Sequence, residues 1–388
     1  MSLVVYLFWA FFLLVVYVYI GYPVLISILA SLLPLHRNYV ELFPKVTILI
    51  PAYNEEKFIE EKISNTLSLD YPRDKLQILV VSDGSSDKTP EIAASYCNKG
   101  IEAIFIPERN GKMAAIVRAM KFCRGEIIVF SDANNMYDNS AIRELVLPFS
   151  DPTVGATTGA KLIIDDGRDL SAAEGLYWKY ESQIKINESK IDSCVSSVGE
   201  ILAIRSSVYF TPKEKIVNDD HYIILDLLRR GYRLVYTPKA RSYEHVSQTA
   251  ADEFTRRRRM NAGLYQTISM SSTLLPLNRP LLLWEIISHK YLRVFVPFAM
   301  ILCFGMNFAL FVEDYSNNVR ASIYIIAFIT QIAFYSMAVI GNVIKFQGLA
   351  GKIFYLPAFL VNSNFAILAG LYTFLTDNQP HIWKQARR

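Results

Sequence analysis

The stretch Glu126 to Asn135, Glu-Ile-Ile-Val-Phe-Ser-Asp-Ala-Asn-Asn, is an apolar run of strand length. It stops at Ser131 and delivers two oxygen-bearing side chains, Asp132 and Asn134, at its carboxyl end. In an open α/β sheet that edge is where ligands bind. A carboxylate with an oxygen-bearing partner two residues on suits a hard divalent cation, which takes one or two protein oxygens and completes its shell with phosphate and water. Taken alone, the same residues read equally well as a strand entering a polar turn.

Three similar runs precede it. Val46 to Ile50 leads into Pro51-Ala52-Tyr53-Asn54-Glu55, Leu76 to Val81 into Ser82-Asp83-Gly84-Ser85-Ser86-Asp87, and Ile101 to Ile106 ends before Arg109-Asn110-Gly111-Lys112. A helical pattern follows each, so the alternation predicts a parallel sheet covered on both faces, with its polar residues on one edge. Further on, Val154 to Ile164 reads as paired strands around Gly159, and Ala172 to Ile186 as an amphipathic helix with Trp178 and Tyr180. A helix opens at Asn218-Asp219-Asp220-His221, and Ala250 to Ile268 reads as a helix that carries four consecutive arginines, Arg256 to Arg259.

The composition, 52% hydrophobic and 13% aromatic, is too apolar for an ordinary soluble enzyme. Met1 to Leu35 contains no charged residue, enough to cross a bilayer once. A cleaved signal peptide fits poorly, because the amino end lacks a basic region and the run is too long. Val294 to Val312, Ala321 to Val343 and Ile353 to Thr376 are three further uncharged runs. The expected layout is a transmembrane helix at 1–35, an aqueous catalytic domain at 36–275, an interfacial helix at 276–293, three transmembrane helices at 294–376 and a basic tail at 377–388. Three later spans put the carboxyl end outside if the aqueous domain is cytoplasmic, whereas Lys384, Arg387 and Arg388 favour inside. The net charge of +4, with its basic residues mostly scattered, gives no case for nucleic-acid binding. Cys97, Cys123, Cys194 and Cys303 show no metal-ligand spacing or pairing framework, which fits a reducing compartment.

Several residues carry chemistry. Asp83, at a strand end, is placed to accept hydrogen bonds from a nucleobase, and Tyr53 to present a ring face to that base. Ser86 and Asp87 read equally as a helix cap. Arg109, Gly111 and Lys112 make a basic loop entering a helix, suited to an anion. Of Asp219 and Asp220, capping accounts for one and leaves the other as a general base. The four arginines cannot all face one ligand on a helix; one or two suit a pyrophosphate, the rest a membrane surface.

In order along the chain, these motifs resemble the membrane-bound family 2 glycosyltransferases, the group with cellulose, chitin, hyaluronan and poly-N-acetylglucosamine synthases. The resemblance implies a GT-A fold, Rossmann-like with a mostly parallel sheet, and α-helical transmembrane segments on both sides. It implies that Ala52, Tyr53, Glu55 and Asp83 hold the uridine of a UDP-sugar, with Lys112 near the nucleotide and Asp132 meeting Mg2+ or Mn2+ and the diphosphate. Asp220, at the last position of the family's Thr-Glu-Asp motif, would be the base. Arg256 and Arg259 match the first and fourth positions of its Gln/Arg-x-x-Arg-Trp motif, which binds the diphosphate, and Glu200 lies in the segment lining the acceptor site. Two positions depart from the pattern. Asn134 replaces the second acid of Asp-x-Asp, leaving Asp132 as the principal metal ligand, and Met260 replaces the tryptophan that holds the growing polymer in processive synthases.

The expectation is an inverting transferase in the cell membrane, with its catalytic domain cytoplasmic, that acts on a glycan or lipid-linked acceptor. A processive polysaccharide synthase is the alternative, and a nonenzymatic nucleotide-sugar sensor a remote one. A transporter fits poorly, since four spans leave little room for a pathway and none of the uncharged runs carries an acidic residue.

Overall fold

A computed structural model describes residues 3–35, 37–165, 167, 169–211, 216–247, 249–317, 319, 322–344, 346 and 348–376; the basic tail expected at 377–388 lies outside them. Strands β1 (Val46–Ala52), β2 (Leu76–Asp83), β3 (Ile101–Ile106) and β4 (Ile127–Phe130) form on the four apolar runs and pair in parallel in the order β3-β2-β1-β4. Strands β5 (Met136–Tyr137), β6 (Val154–Ile163), β7 (Leu202–Arg205) and β8 (Arg233–Glu244) extend the sheet in the order β4-β7-β6-β8-β5. Strand β7 runs antiparallel to β4 and β6, β5 antiparallel to β8, and β6 parallel to β8. The sheet has eight strands in mixed orientation.

The helices that position the site are α1 (Leu3–Leu32), α2 (Ile59–Leu67), α3 (Lys112–Ala119), α4 (Asp169–Ile191), α5 (Asp219–Arg229), α6 (Ala250–Ser269), α7 (Pro280–Ser316), α8 (Ile323–Val343) and α9 (Gly348–Leu375). Period-two alternation divides each central strand between two cores. Ile48, Ile50, Ile78, Val80, Ile127 and Val129 pack against α2 through Ile59 and Ile63. Leu49, Leu79, Val81, Ile128 and Phe130 pack against Ile116 of α3 and Ile224 and Leu228 of α5.

Residues 154–163 are one strand, not the expected pair around Gly159. A Cβ on Gly159 would stand 2.5 Å from the Ala240 carbonyl oxygen and 2.6 Å from Ile201 Cδ1. The glycine admits close neighbours and turns nothing.

Helices α1, α7 and α8 and the part of α9 from Ile353 to Leu375 are long and apolar enough to cross a membrane. The expected interfacial segment and the first of the later apolar runs belong to one continuous helix, α7. Buried polar contacts join α4 to these helices. Tyr22 donates to Glu188 at 2.6 Å, the ring nitrogens of His289 lie 2.6 Å from Glu188 and 3.2 Å from Glu181, and Arg293 donates to Glu181 at 2.6 Å. Helix α6 packs along α9, with Phe254 stacked on Phe365 at 5.8 Å and Tyr265 on Phe374 at 6.3 Å. A Cβ on Gly370 would stand 2.6 Å from Asn261 Cβ, so glycine sets how closely these two helices approach.

Candidate active site

The loops after β1 and β2 form one edge. Asn54 is the one described non-glycine residue with positive φ, at 53°, a conformation asparagine tolerates. Its Oδ1 accepts from Ser86 N at 2.8 Å, and Glu55 N donates to Thr89 Oγ1 at 2.8 Å. Asp87 accepts from Thr89 N at 3.0 Å and from Glu56 N at 3.1 Å, tying the two loops together, whereas Lys88 holds the N-cap position expected for Ser86 or Asp87. Ala52 is buried at the end of β1. Beside it, the ring face of Tyr53 that was expected to be open to a base carries the Arg109 guanidinium, 3.6 Å from the ring centroid.

Asp83 is 3% exposed, and its carboxylate already has partners. It accepts from Asn110 N at 3.0 Å and Gly111 N at 2.6 Å and pairs with Arg118. Its observed role is to hold the loop that starts α3. Gly84, at φ +68°, lets that loop lie close, since a Cβ there would stand 2.6 Å from Arg109 N. Arg118 on α3 was not anticipated.

Asp132 follows the end of β4 and lies 2.5 Å from Lys112 Nζ, with the two side chains 28% and 25% exposed. Burial pulls the Lys112 pKa down, but Asp132, Asp219, its hydrogen bond to Asp132 and Asp220 together hold it above the ordinary value. One ammonium thus lies within the field of all three acids. Behind the loop sits Lys62 of α2, fully buried, whose Nζ donates to Asn135 O at 2.7 Å and Asn135 Oδ1 at 3.2 Å. Burial brings its pKa down to about 7 despite Asp132 and Glu200. Sequence reasoning missed Lys62, although a charge on the buried face shared with Ile59, Ile63 and Thr66 was a visible signal.

Asn134 donates through Nδ2 to Glu244 at 3.1 Å. Glu200, expected at the acceptor site, is 7% exposed. Its carboxylate accepts from Lys161 at 2.7 Å and Ser242 at 3.0 Å, and its carbonyl accepts from Asn135 Nδ2 at 3.1 Å and Tyr137 OH at 2.7 Å. It braces the Asp132 loop from beneath.

Neither acid caps α5; Asn218 holds that position, and Asp219 and Asp220 lie in the first turn. Asp220 Oδ1 accepts from His221 N at 2.8 Å and Oδ2 from Ser197 Oγ at 3.2 Å. Burial, then Asp219, raises the Asp220 carboxyl above its ordinary pKa. Helix α6 supports this turn. A Cβ on Gly263 would stand 2.6 Å from Asn218 Cβ, and Val217 N donates to Gln266 Oε1 at 3.0 Å.

The arginines of α6 divide. Arg256 donates to Glu253 through Nε at 3.0 Å and NH2 at 2.8 Å. Arg257 donates to Glu253 at 2.8 Å, pairs with Glu174 of α4 and bonds Ser363 of α9 at 3.2 Å, facing the helices. Arg258 is exposed, Arg259 half-buried, and Met260 exposed at 41%.

Residues 47–209, which span β1 to β7, match the Glycosyl transferase family 2 model. The chain carries a family 2 glycosyltransferase domain. The probable glycosyltransferase YdaM of Bacillus subtilis is 26% identical over 320 residues, 76% of this chain and 73% of that protein. The poly-beta-1,6-N-acetyl-D-glucosamine synthase of Staphylococcus aureus is 28% identical over 236 residues, 58% of this chain and 55% of the synthase. The chain therefore spans about half the length of that relative. Among solved structures, a mannosyltransferase from Pyrobaculum calidifontis in complex with GDP-Man and Mn2+ superposes with a TM-score of 0.70 at 22% identity, over 95% of this chain and 99% of that one. This likeness supports the GT-A fold and extends through the long apolar helices.

Proposed function

We propose that the glycosyltransferase is an inverting, membrane-embedded enzyme that moves a sugar from a nucleotide-sugar donor, a UDP-sugar, to a glycan or lipid-linked acceptor in polysaccharide or glycolipid synthesis. The observation that carries this reading is the gathering of Asp132, Asp219 and Asp220 about the Lys112 ammonium at the carboxyl edge of the sheet. The similarity to a poly-N-acetylglucosamine synthase supports polymer or glycolipid chemistry.

Asp132 and the Oδ1 of Asn134 fit a divalent ion that completes its shell with donor phosphates. Among the described residues no three His, Cys, Asp or Glu side chains form a metal-holding group, so a sparse protein ligand set suits Mg2+ or Mn2+ better than an all-protein cage. When bound, the ion supplies Lewis-acid stabilisation of the departing diphosphate.

Asp220 takes the proton from the acceptor hydroxyl. That oxygen forms its bond to the anomeric carbon as the bond to the diphosphate breaks, and the nucleoside diphosphate departs. One base and no carboxylate nucleophile give inversion, so a UDP-α-sugar yields a β-linkage. Lys112 and Arg259 stabilise the leaving phosphates, and Arg256, held on Glu253, adds its charge from the same helix. Ala52, Tyr53 and Glu55 meet the base, with Asp83 holding the 109–111 loop beside them and Arg109 swinging from the Tyr53 ring as the base enters. Met260 lies towards the acceptor, and Glu200 acts from beneath by bracing the Asp132 loop. Burial and Asp219 raise the Asp220 pKa and make it a stronger base than an exposed aspartate, so the acid limb of the pH–rate profile is shifted upward from that of an exposed aspartate.

The test is UDP release across a panel of UDP-sugars, with native membranes as the acceptor source. Asp220→Asn is expected to bind UDP normally and to lose about 10²- to 10⁴-fold in transfer. Undiminished transfer would remove Asp220 from the mechanism.

A further inference from the structure

The departure at Asn134 leaves the strand end one acid short, and another strand brings a carboxylate to the same place. Glu244 closes β8 and is 3% exposed. Its Oε1 accepts from Asn134 Nδ2 at 3.1 Å. Its other oxygen pairs with Lys161 of β6, which also bonds Glu200 at 2.7 Å. Lys161, Glu200 and Glu244 are all buried, and Lys161 pairs with both acids.

An amide has a donor end and an acceptor end. Glu244 can only accept when ionised, so it holds the NH2 end of Asn134 and turns Oδ1 the other way. An aspartate at 134 would instead set two carboxylates about 3 Å apart, against a lysine already shared, an arrangement that disfavours ionisation of both.

We propose that Glu244 is a positioning residue of the donor site, supplying from β8 the charge that Asp-x-Asn lacks and fixing Asn134 with its carbonyl oxygen available to the metal. The inference rests on the reading of Asp132 and Asn134 as the metal-holding pair. It explains why asparagine fits at 134 in this chain: the negative charge has moved one hydrogen bond back.

The roles can be exchanged. Glu244→Gln combined with Asn134→Asp would remake the hydrogen bond with its polarity reversed. The full-length protein in detergent is compared as wild type, Glu244→Gln, Asn134→Asp and the double variant. Two readouts need no turnover: Mn2+ affinity from the EPR signal of the free ion, with UDP in one arm and GDP in another, and Tm. Glu244→Gln is expected to weaken Mn2+ binding about fivefold, because the amide is free to turn. Asn134→Asp is expected to lower Tm by about 3 °C or more through the facing carboxylates. The double variant should regain most of that Tm and bind Mn2+ within about twofold of wild type. A double variant whose Tm loss is the sum of the two single losses overturns the proposal.

An Asn134→Ala background separates positioning from bulk charge. There Glu244→Gln should change Mn2+ affinity by less than about twofold, and a further fivefold loss overturns action through Asn134. Asp132→Ala tests the premise. Undiminished Mn2+ binding in that variant defeats the metal reading itself, whereas loss of binding together with additive effects at 134 and 244 defeats only the inference about Glu244.

Discussion

Two charged regions flank the cleft, and they are satisfied in opposite ways. At the strand ends, Asp132 is met by the ammonium of Lys112, and both side chains are about a quarter exposed. On α6, Arg256 and Arg257 are met by Glu253 and Glu174, carboxylates only 7% and 2% exposed. A lysine on a flexible stem can leave its partner when a ligand arrives. A guanidinium fork set on a buried carboxylate cannot leave without stranding that charge. The exposure of the partners, more than the number of charges, separates groups poised for a ligand from groups that fasten α6 to α4 and α9.

The largest effect expected from this contrast is at Asp132. Asp132→Ala should reduce transfer by about 10³-fold or more while leaving Tm close to wild type, because the carboxylate is half-buried and Lys112 can turn to solvent on its flexible stem. Asn134→Ala should leave a measurable fraction of activity. A large Tm loss in Asp132→Ala would place this residue with the fastening groups and break the contrast.

Lys62 sharpens the strand-end side of the comparison, since it is the fixed charge beneath the more exposed ones. Its pKa is about 7 in the fold and 10.5 ordinarily. Between those values the unfolded chain binds more protons, so this group makes the fold more stable as pH rises through the window and less stable as pH falls towards 7. The stability difference between wild type and Lys62→Met should therefore drift in favour of wild type from pH 7 to 10, by at most about 1.4 kcal/mol per pH unit. A difference that is flat with pH would show that Lys62 does not carry its proton as the buried site implies.

Arg257→Ala tests the other side. Removing it leaves buried Glu174 with only Arg256 at 4.0 Å and opens the contacts to Tyr177 and Phe359, so a loss of about 3 kcal/mol is expected. Arg257→Lys should recover little of this, because an ammonium cannot span Glu253, Glu174 and Ser363 together. Transfer per folded molecule should fall far less than in Asp132→Ala. Lost transfer with Tm unchanged would make Arg257 a ligand group.

Much of this is legible in the sequence, for a physical reason. Strands buried on both faces must be apolar along their length, so β1 to β4 and their polar ends appear directly, and with them the positions of Lys112 and Asp132. What is not legible depends on distant residues meeting. Asp83 looks free for a base because Arg118 and the 110–111 amides are far away in sequence. Glu200 looks open to an acceptor because Lys161 and Ser242 come from other strands. Gly159 reads as a turn because a glycine in a strand marks either a bend or a close neighbour, and only the packing of Ala240 and Ile201 decides between them. The continuity of α7 is hidden by Arg293, whose charge is met by Glu181 of α4.

The smallest effect should come at Met260, on the outward side of α6. At 41% exposure it has room for a larger ring, so Met260→Trp should change stability by no more than about 0.5 kcal/mol. Its consequence would be in the product. A tryptophan there offers a stacking face for a sugar at the end of a growing chain, next to Arg259 and on the helix that also braces Asn218 through Gly263. If product length is limited by weak hold on the acceptor, gel analysis should show longer products from Met260→Trp at an unchanged rate of UDP release. An unchanged ladder would place the control of length elsewhere than on the outward side of α6.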